Sequence, residues 1–243
     1  MEDRYFQTNI IDFSETKHDK STYSIFGGSI VLEGSTLNAR QFATQGSREK
    51  MAAQIFTGTE HFRSGASKVT KDTPEPYKKV QSWLQVSYQN ETYHKVSPKF
   101  TLGAYLEAYY SSRNFSNNYT ATLMQAGEFT PTAHSKVTYN EAFRANQYAG
   151  VGAMPIYQLS ESFQLRGEFY GFVPIFPIKK DEYGQAYYGK AFTKFEYLGE
   201  ISLVFQLSFG SISAYVNHYS SPSNDWNVGL TLGWQLFNSR FIE

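Results

Sequence analysis

Several charged residues in this 243-residue chain sit at even spacings along runs that read as extended backbone. Glu196 and Glu200 are four apart, Arg166 and Glu168 are two apart, and Glu107 and Arg144 lie in similar runs. Successive side chains of a strand point to opposite faces, so even spacing places each pair on one face. Charges gathered on a buried face form a hydrogen-bonded lattice that satisfies them, or they gate or anchor something inside. Catalysis asks for more. A serine hydrolase of the elbow type needs Gly-x-Ser-x-Gly. The nearest stretch, Gly65-Ala66-Ser67-Lys68-Val69, lacks the second glycine and sits in a polar loop. His18, His61, His94, His134 and His218 show no metal-ligand spacing, so they read as solvated or interfacial. His218, the histidine nearest Glu196 and Glu200, has the opposite parity. The chain has no cysteine, which removes thiolate metal sites, thiol nucleophiles and disulfides. The expectation is therefore no catalytic, cofactor or metal residue. Arg144, Arg166, Glu168, Glu107, Glu196 and Glu200 are expected to form an inward network or a loop anchor.

The elements that must position these groups are long strands. Residues 195–209 alternate strictly: Phe195, Tyr197, Ile201, Leu203, Phe205, Leu207 and Phe209 on one face, Glu196, Glu200, Ser202, Gln206 and Ser208 on the other. Such alternation is the β signal. Strands of globular proteins mostly stop at about five or six residues, whereas a tilted bilayer-crossing strand needs roughly 9–11. One apolar and aromatic face with one carboxylate and amide face suits lipid outside and a wet interior.

Composition agrees with that reading. Aromatics make up 17% of the chain, with 19 Tyr and 20 Phe, and membrane barrels carry aromatic girdles. Lys plus Arg equals Asp plus Glu at 22 each, which lacks the basic surplus of a nucleic-acid binder. No apolar run approaches the roughly 18 residues of a spanning helix. Met1-Glu2-Asp3-Arg4 has no apolar signal core. Since a membrane barrel must be exported, the chain is expected to be a fragment whose signal lies upstream, or to begin at a misassigned start site.

About ten strands follow in order. Residues 5–13 and 23–33 come first, then a turn-rich connector at 37–48 and a strand through Met51, Ala53 and Ile55. Residues 80–93, 99–110, 143–157, 163–175, 195–209, a run through Ile212, Ala214 and Val216, and 225–237 complete the set. Long connectors at 14–22, 61–79, 111–140, 178–192 and 220–224 alternate with short ones. Outer-membrane barrels sort their loops this way. Arg144, Asn146 and Tyr148 are expected to face inward on the strand after the 111–140 loop. Tyr109, Tyr110, Tyr187, Tyr188 and Tyr219 are expected in an outer interfacial belt.

Three features resemble a family. Asn227-Val228-Gly229-Leu230-Thr231-Leu232-Gly233-Trp234 resembles the C-terminal assembly signal of outer-membrane barrels, carried by Asn227, Gly229, Leu232 and Trp234. Residues 37–48, with Phe42-Ala43-Thr44-Gln45-Gly46, resemble a periplasmic hairpin of BamA-type barrels. Residues 129–135, with Phe143-Arg144-Ala145 and the run from Arg166 to Pro174, are similar to the BamA-like surface-antigen barrel of patatin-like phospholipases. The Arg-Gly-aromatic tip usual in that family's long loop is absent from 111–140, and Arg144 is the nearest substitute.

The resemblance implies an all-β, antiparallel transmembrane β-barrel. Residues 1–243 would be strands seven to sixteen of sixteen, with 111–140 the long extracellular loop. It would anchor or translocate a lipid acyl hydrolase domain that is absent from this chain, which itself would not be an enzyme. Implied partners are outer-membrane lipid, the barrel assembly machinery through the last strand, the missing N-terminal strands and domain, and a homodimer; nucleic acid is not one. The location would be the outer membrane of a Gram-negative-type bacterium. Alternatives are a BamA/TamA-type assembly or translocation barrel, and a small complete pore or omptin-like barrel of about ten strands.

Overall fold

The computed structural model describes residues 2–5, 18–65, 77–221 and 226–234. Among them ten strands form one antiparallel sheet. In chain order these are β1 (Glu2–Tyr5), β2 (Asp19–Ser35), β3 (Gly46–Arg63), β4 (Tyr77–Lys95) and β5 (Phe100–Ser111). After an insert come β8 (Gln147–Gln158), β9 (Phe163–Pro174), β12 (Glu196–Leu207), β13 (Gly210–Tyr219) and β14 (Trp226–Trp234). Spatial order follows chain order throughout, so every connection is between neighbours. The insert after β5 holds helix α1 (Tyr119–Gln125) and a short hairpin of β6 (Gly127–Glu128) with β7 (Arg144–Ala145). A second short hairpin, β10 (Ile178–Lys180) with β11 (Ala186–Tyr188), lies between β9 and β12.

The period-2 pattern fixes which face each residue takes. In β12, Glu196, Leu198, Glu200, Ser202 and Val204 are buried, while Tyr197, Ile201, Leu203 and Phe205 are exposed. In β5, Leu102, Ala104, Leu106 and Ala108 are exposed and Thr101, Gly103 and Tyr105 are buried. β9 buries Gln164, Arg166, Glu168 and Tyr170. The outward face is thus apolar and bare, from Phe26 at 81% exposure to Leu230 at 82%. The inward face carries the charges. Soluble proteins do the reverse, because apolar side chains leave water.

The structure corrects several boundaries and placements. Of the strand expected at 5–13, only Tyr5 is described, and it belongs to β1; residues 6–17 lie outside the described residues. β2 begins at Asp19, inside the stretch expected to be loop. The expected 61–79 loop shortens at both ends, because β3 runs to Arg63 and β4 starts at Tyr77. Residues 66–76, 222–225 and 235–243, and the side chain of Trp234, lie outside the described residues. Tyr109 and Tyr219 face inward rather than joining an outer belt: Tyr109 stacks on Tyr148, and Tyr219 is buried against Phe143. Tyr148 on β8 and Phe143 in the insert, the inward partners of these two tyrosines, are far from them in the chain.

Two segments fold onto the charged face. One is the insert from Ser112 to Asn146, joined to β1 and to the residues just after β13. Gln125 Nε2 donates to Asp3 at 2.6 Å, Asn118 Nδ2 donates to Tyr5 Oη at 3.1 Å, and Asn140 Nδ2 donates to Ser221 O at 2.8 Å. The other is the 36–45 turn between β2 and β3. It reaches β9, β12 and β13 through Gln164, Gln206 and Ser211. Contacts between elements so far apart in the sheet order require the sheet to curl around them.

Candidate functional site

The site is the concave face and the two segments seated in it. β12 aims Glu200 inward by parity, opposite Glu168 on β9 and Asn217 on β13. His134 of the insert donates Nδ1–H to Glu200 Oε1 at 2.6 Å, and Asn217 Nδ2 donates to Oε2 at 3.4 Å. The imidazole lies flat on Tyr215, with ring centroids 3.5 Å apart. His134 and Glu200 are 4% and 2% exposed. A carboxylate this deep is tolerated only with donors around it. Thr132 and Ser135 lock the turn that presents His134. Each backbone N–H donates to the other's hydroxyl at 3.0 Å, and Ser135 Oγ donates to Thr132 O at 2.9 Å.

Below this tie the insert shares an aromatic core with the wall. Phe129 packs among Tyr105, Phe143, Tyr148, Tyr170 and Phe172. It fits because β8 carries a glycine there: a Cβ on Gly150 would stand 2.1 Å from the Phe129 ring. Glu107 accepts from Tyr148 Oη at 2.7 Å and from Tyr105 Oη. From Tyr105 the polar chain continues through Gln89 to Arg48, which pairs with Glu91 at 3.3 Å.

Arg166 is the second tie. Its Nε bonds the Glu168 carboxylate, Nη1 donates to Ala43 O at 2.8 Å and Nη2 to Tyr93 Oη at 2.8 Å. Tyr170 Oη donates to the other Glu168 oxygen at 3.1 Å. The 36–45 turn is also tied to itself. Asn38 Oδ1 accepts from the N–H groups of Thr44 and Gln45 at 2.9 and 3.1 Å, and its Nδ2 donates to Thr44 Oγ1 at 3.0 Å.

The six residues expected to form a network or anchor are partly gathered. Arg166 with Glu168, Glu200 and Glu107 lie on the inner face. Glu196 sits at the rim, bonded by Ser220 Oγ and 3.5 Å from Lys194 Nζ. Arg144 departs. It belongs to the β6–β7 hairpin rather than to the strand wall, pairs with Glu128 at 2.7 Å, and donates to carbonyls of Leu123 and Met124 at the end of α1. The stretch expected to be an irregular loop is thus a small folded unit. Arg144 supplies the positive charge that the carbonyl end of a helix favours.

Residues that sequence reasoning passed over do much of the holding. His134, in the run 129–135, is buried rather than solvated or interfacial. Arg113 lies over Trp83 at 4.5 Å and Tyr23 at 5.3 Å, and burial pulls its guanidinium pKa below the ordinary value. Nothing local distinguishes these residues from surface ones.

His134 spends Nδ1 on Glu200, and its Nε2 is buried with no hydrogen-bond partner among the described residues, so no hydroxyl is primed by it. No group of three or more His, Asp or Glu side chains gathers to hold a metal among the described residues. No protein-family model, curated protein or solved structure matches the chain.

Proposed function

We propose that this chain is a membrane-embedded β-barrel region whose interior is filled by its own insert, and that it serves as an anchor. The observation that carries the reading is the inversion of faces. Ile30, Leu32, Ile55, Val151 and Leu230 stand bare on the outer side, while Glu60, Arg166, Glu168 and Glu200 are buried on the inner side. Lipid, rather than water, is the solvent that stabilises such an outer face. The open ladders support the barrel's completion by further strands. β1 covers only Asp19–Thr22 of β2, and β14 has β13 alone as neighbour among the described residues. Bare backbone groups are too costly to leave in hydrocarbon. The resemblance to the BamA-like surface-antigen barrel supplies the finer reading: strands seven to sixteen of an outer-membrane barrel that tethers a patatin-like lipid acyl hydrolase domain, with the chemistry outside this chain. The filled interior favours anchoring over an open conduit.

A second reading, a BamA/TamA-type assembly barrel, draws on the same β2 and β14 edges, which among the described residues offer ladders to an incoming strand. The test uses two tryptophans on opposite faces, Trp226 outward at 71% exposure and Trp83 inward at 5%. The whole polypeptide is placed in bilayers with brominated acyl chains, in single-tryptophan versions. Quenching of Trp226 but not Trp83 is expected; equal quenching, or none, sinks the membrane reading. Strand addition is scored separately, by cross-linking cysteines placed on β14 to a nascent barrel.

A further inference from the structure

The inward-folded turn and the β8–β9 turn enclose a cavity of about 240 Å³ at the short-turn end of the sheet. Phe42 and Phe163 give it aromatic walls. Gln158, Glu161, Gln164 and Gln206 give it oxygen acceptors, Asn38, Ser160 and Ser162 add groups that both donate and accept, and no lysine, arginine or histidine among the described residues lines it. Gln164 is 4% exposed, and its Nε2 donates to Phe42 O at 3.3 Å. Its Oε1 is shut from solvent and has no partner among the described residues, and a buried acceptor left unmet is costly. Gln206 likewise turns its Nε2 to the turn, toward Gln41 O at 3.2 Å. Each of these two amides thus directs a donor to the turn, and Glu161, exposed on the β8–β9 turn, is the one charge lining the cavity among the described residues.

Aromatic walls, an unmet acceptor and a single carboxylate match one side chain best. Guanidinium stacks on aromatic faces and carries five N–H donors with no acceptor, and its aliphatic stem packs on apolar walls. We propose that this cavity receives a single arginine side chain, presented by a polypeptide segment on the short-turn side of the sheet. The partner is a protein surface with an exposed arginine, not a free metabolite. The inference stands on the cavity and does not depend on a bilayer around the sheet.

The test is a titration of the detergent-purified whole polypeptide with Nα-acetyl-arginine-N-methylamide, read by saturation-transfer NMR. Saturable binding is expected. Glu161→Gln should weaken it several-fold, and Q164L on the order of tenfold, the size of one lost hydrogen bond to a charged group. Glu161 is exposed on a turn, so E161K keeps the fold and should abolish binding even where Q164L unfolds. The norleucine analogue, which keeps a stem and lacks the charge, should not bind. No saturable binding, equal affinity in wild type and E161K, or equal affinity for the norleucine analogue overturns the proposal. Tighter binding of putrescine than of the arginine probe also overturns it, in favour of a free polyamine site.

Discussion

The two segments that enter the concave face are held by opposite means. The 112–146 insert offers side chains to the wall: His134 to Glu200 and Tyr215, Phe129 to the space over Gly150, Arg113 to Trp83. The 36–45 turn offers mainly backbone. Its carbonyls at Gln41, Phe42 and Ala43 accept from Gln206, Gln164 and Arg166. A side-chain tie depends on which residue the inserted segment carries. A backbone tie depends on the wall residue and on the turn keeping its shape. Substitutions should therefore act from the segment's side in the insert and from the wall's side at the turn.

The largest effect is expected from the wall. Arg166→Met leaves Glu168 buried without its cation and frees the Ala43 carbonyl. Breaking a buried pair from one side costs about 3–5 kcal/mol, to be read from denaturant unfolding; a loss under about 1 kcal/mol would remove Arg166 as the turn's main tie. Next is Gly150→Ala, whose Cβ must displace the Phe129 ring. Overpacking of this kind costs about 1–3 kcal/mol, and the insert should become open to proteolysis while the 36–45 turn stays protected. Joint release of both segments would show that they are one unit.

His134→Ala should cost about 2 kcal/mol, the range for stripping a partner from a buried charged group. A double-mutant cycle with Glu200→Gln should show coupling of at least about 0.5 kcal/mol; additive effects would deny the tie. Asn38→Ala tests the turn from its own side. It removes three hydrogen bonds at a half-solvated site and should cost about 1 kcal/mol, well below Arg166→Met. The reverse order would invert the comparison.

The smallest effect concerns pH. Burial in α1 pushes the Tyr119 hydroxyl up to about 12 from an ordinary value of 10.0. The raised value means that stability is fully present below the unfolded pKa and is lost as pH rises from about 10 through 12. Amide exchange in α1 should quicken in that window in the wild type and much less so in Tyr119→Phe.

Much of this protein was written in its residue order. Alternation in residues 195–209 assigned the two faces of β12, because the period-2 geometry of a strand needs no neighbours to operate. The inward parity of Arg166, Glu168, Glu107 and Glu200 followed from the same rule. Neighbour pairing followed as well where a short turn joins two long strands, as between β8 and β9, because such a turn leaves little choice but an antiparallel hairpin. The tertiary structure decided what fills the concave face. His134 pairs with a residue 66 positions away, and Arg166 meets Ala43 across 123 positions; no local period encodes such distances. Arg144 shows the limit most plainly, since parity placed it in the wall while the folding of α1 placed it in the insert. The chain alone determined which face each strand shows. Only the curled sheet, by bringing distant strands around the same two segments, determined which partner each inward charge would meet.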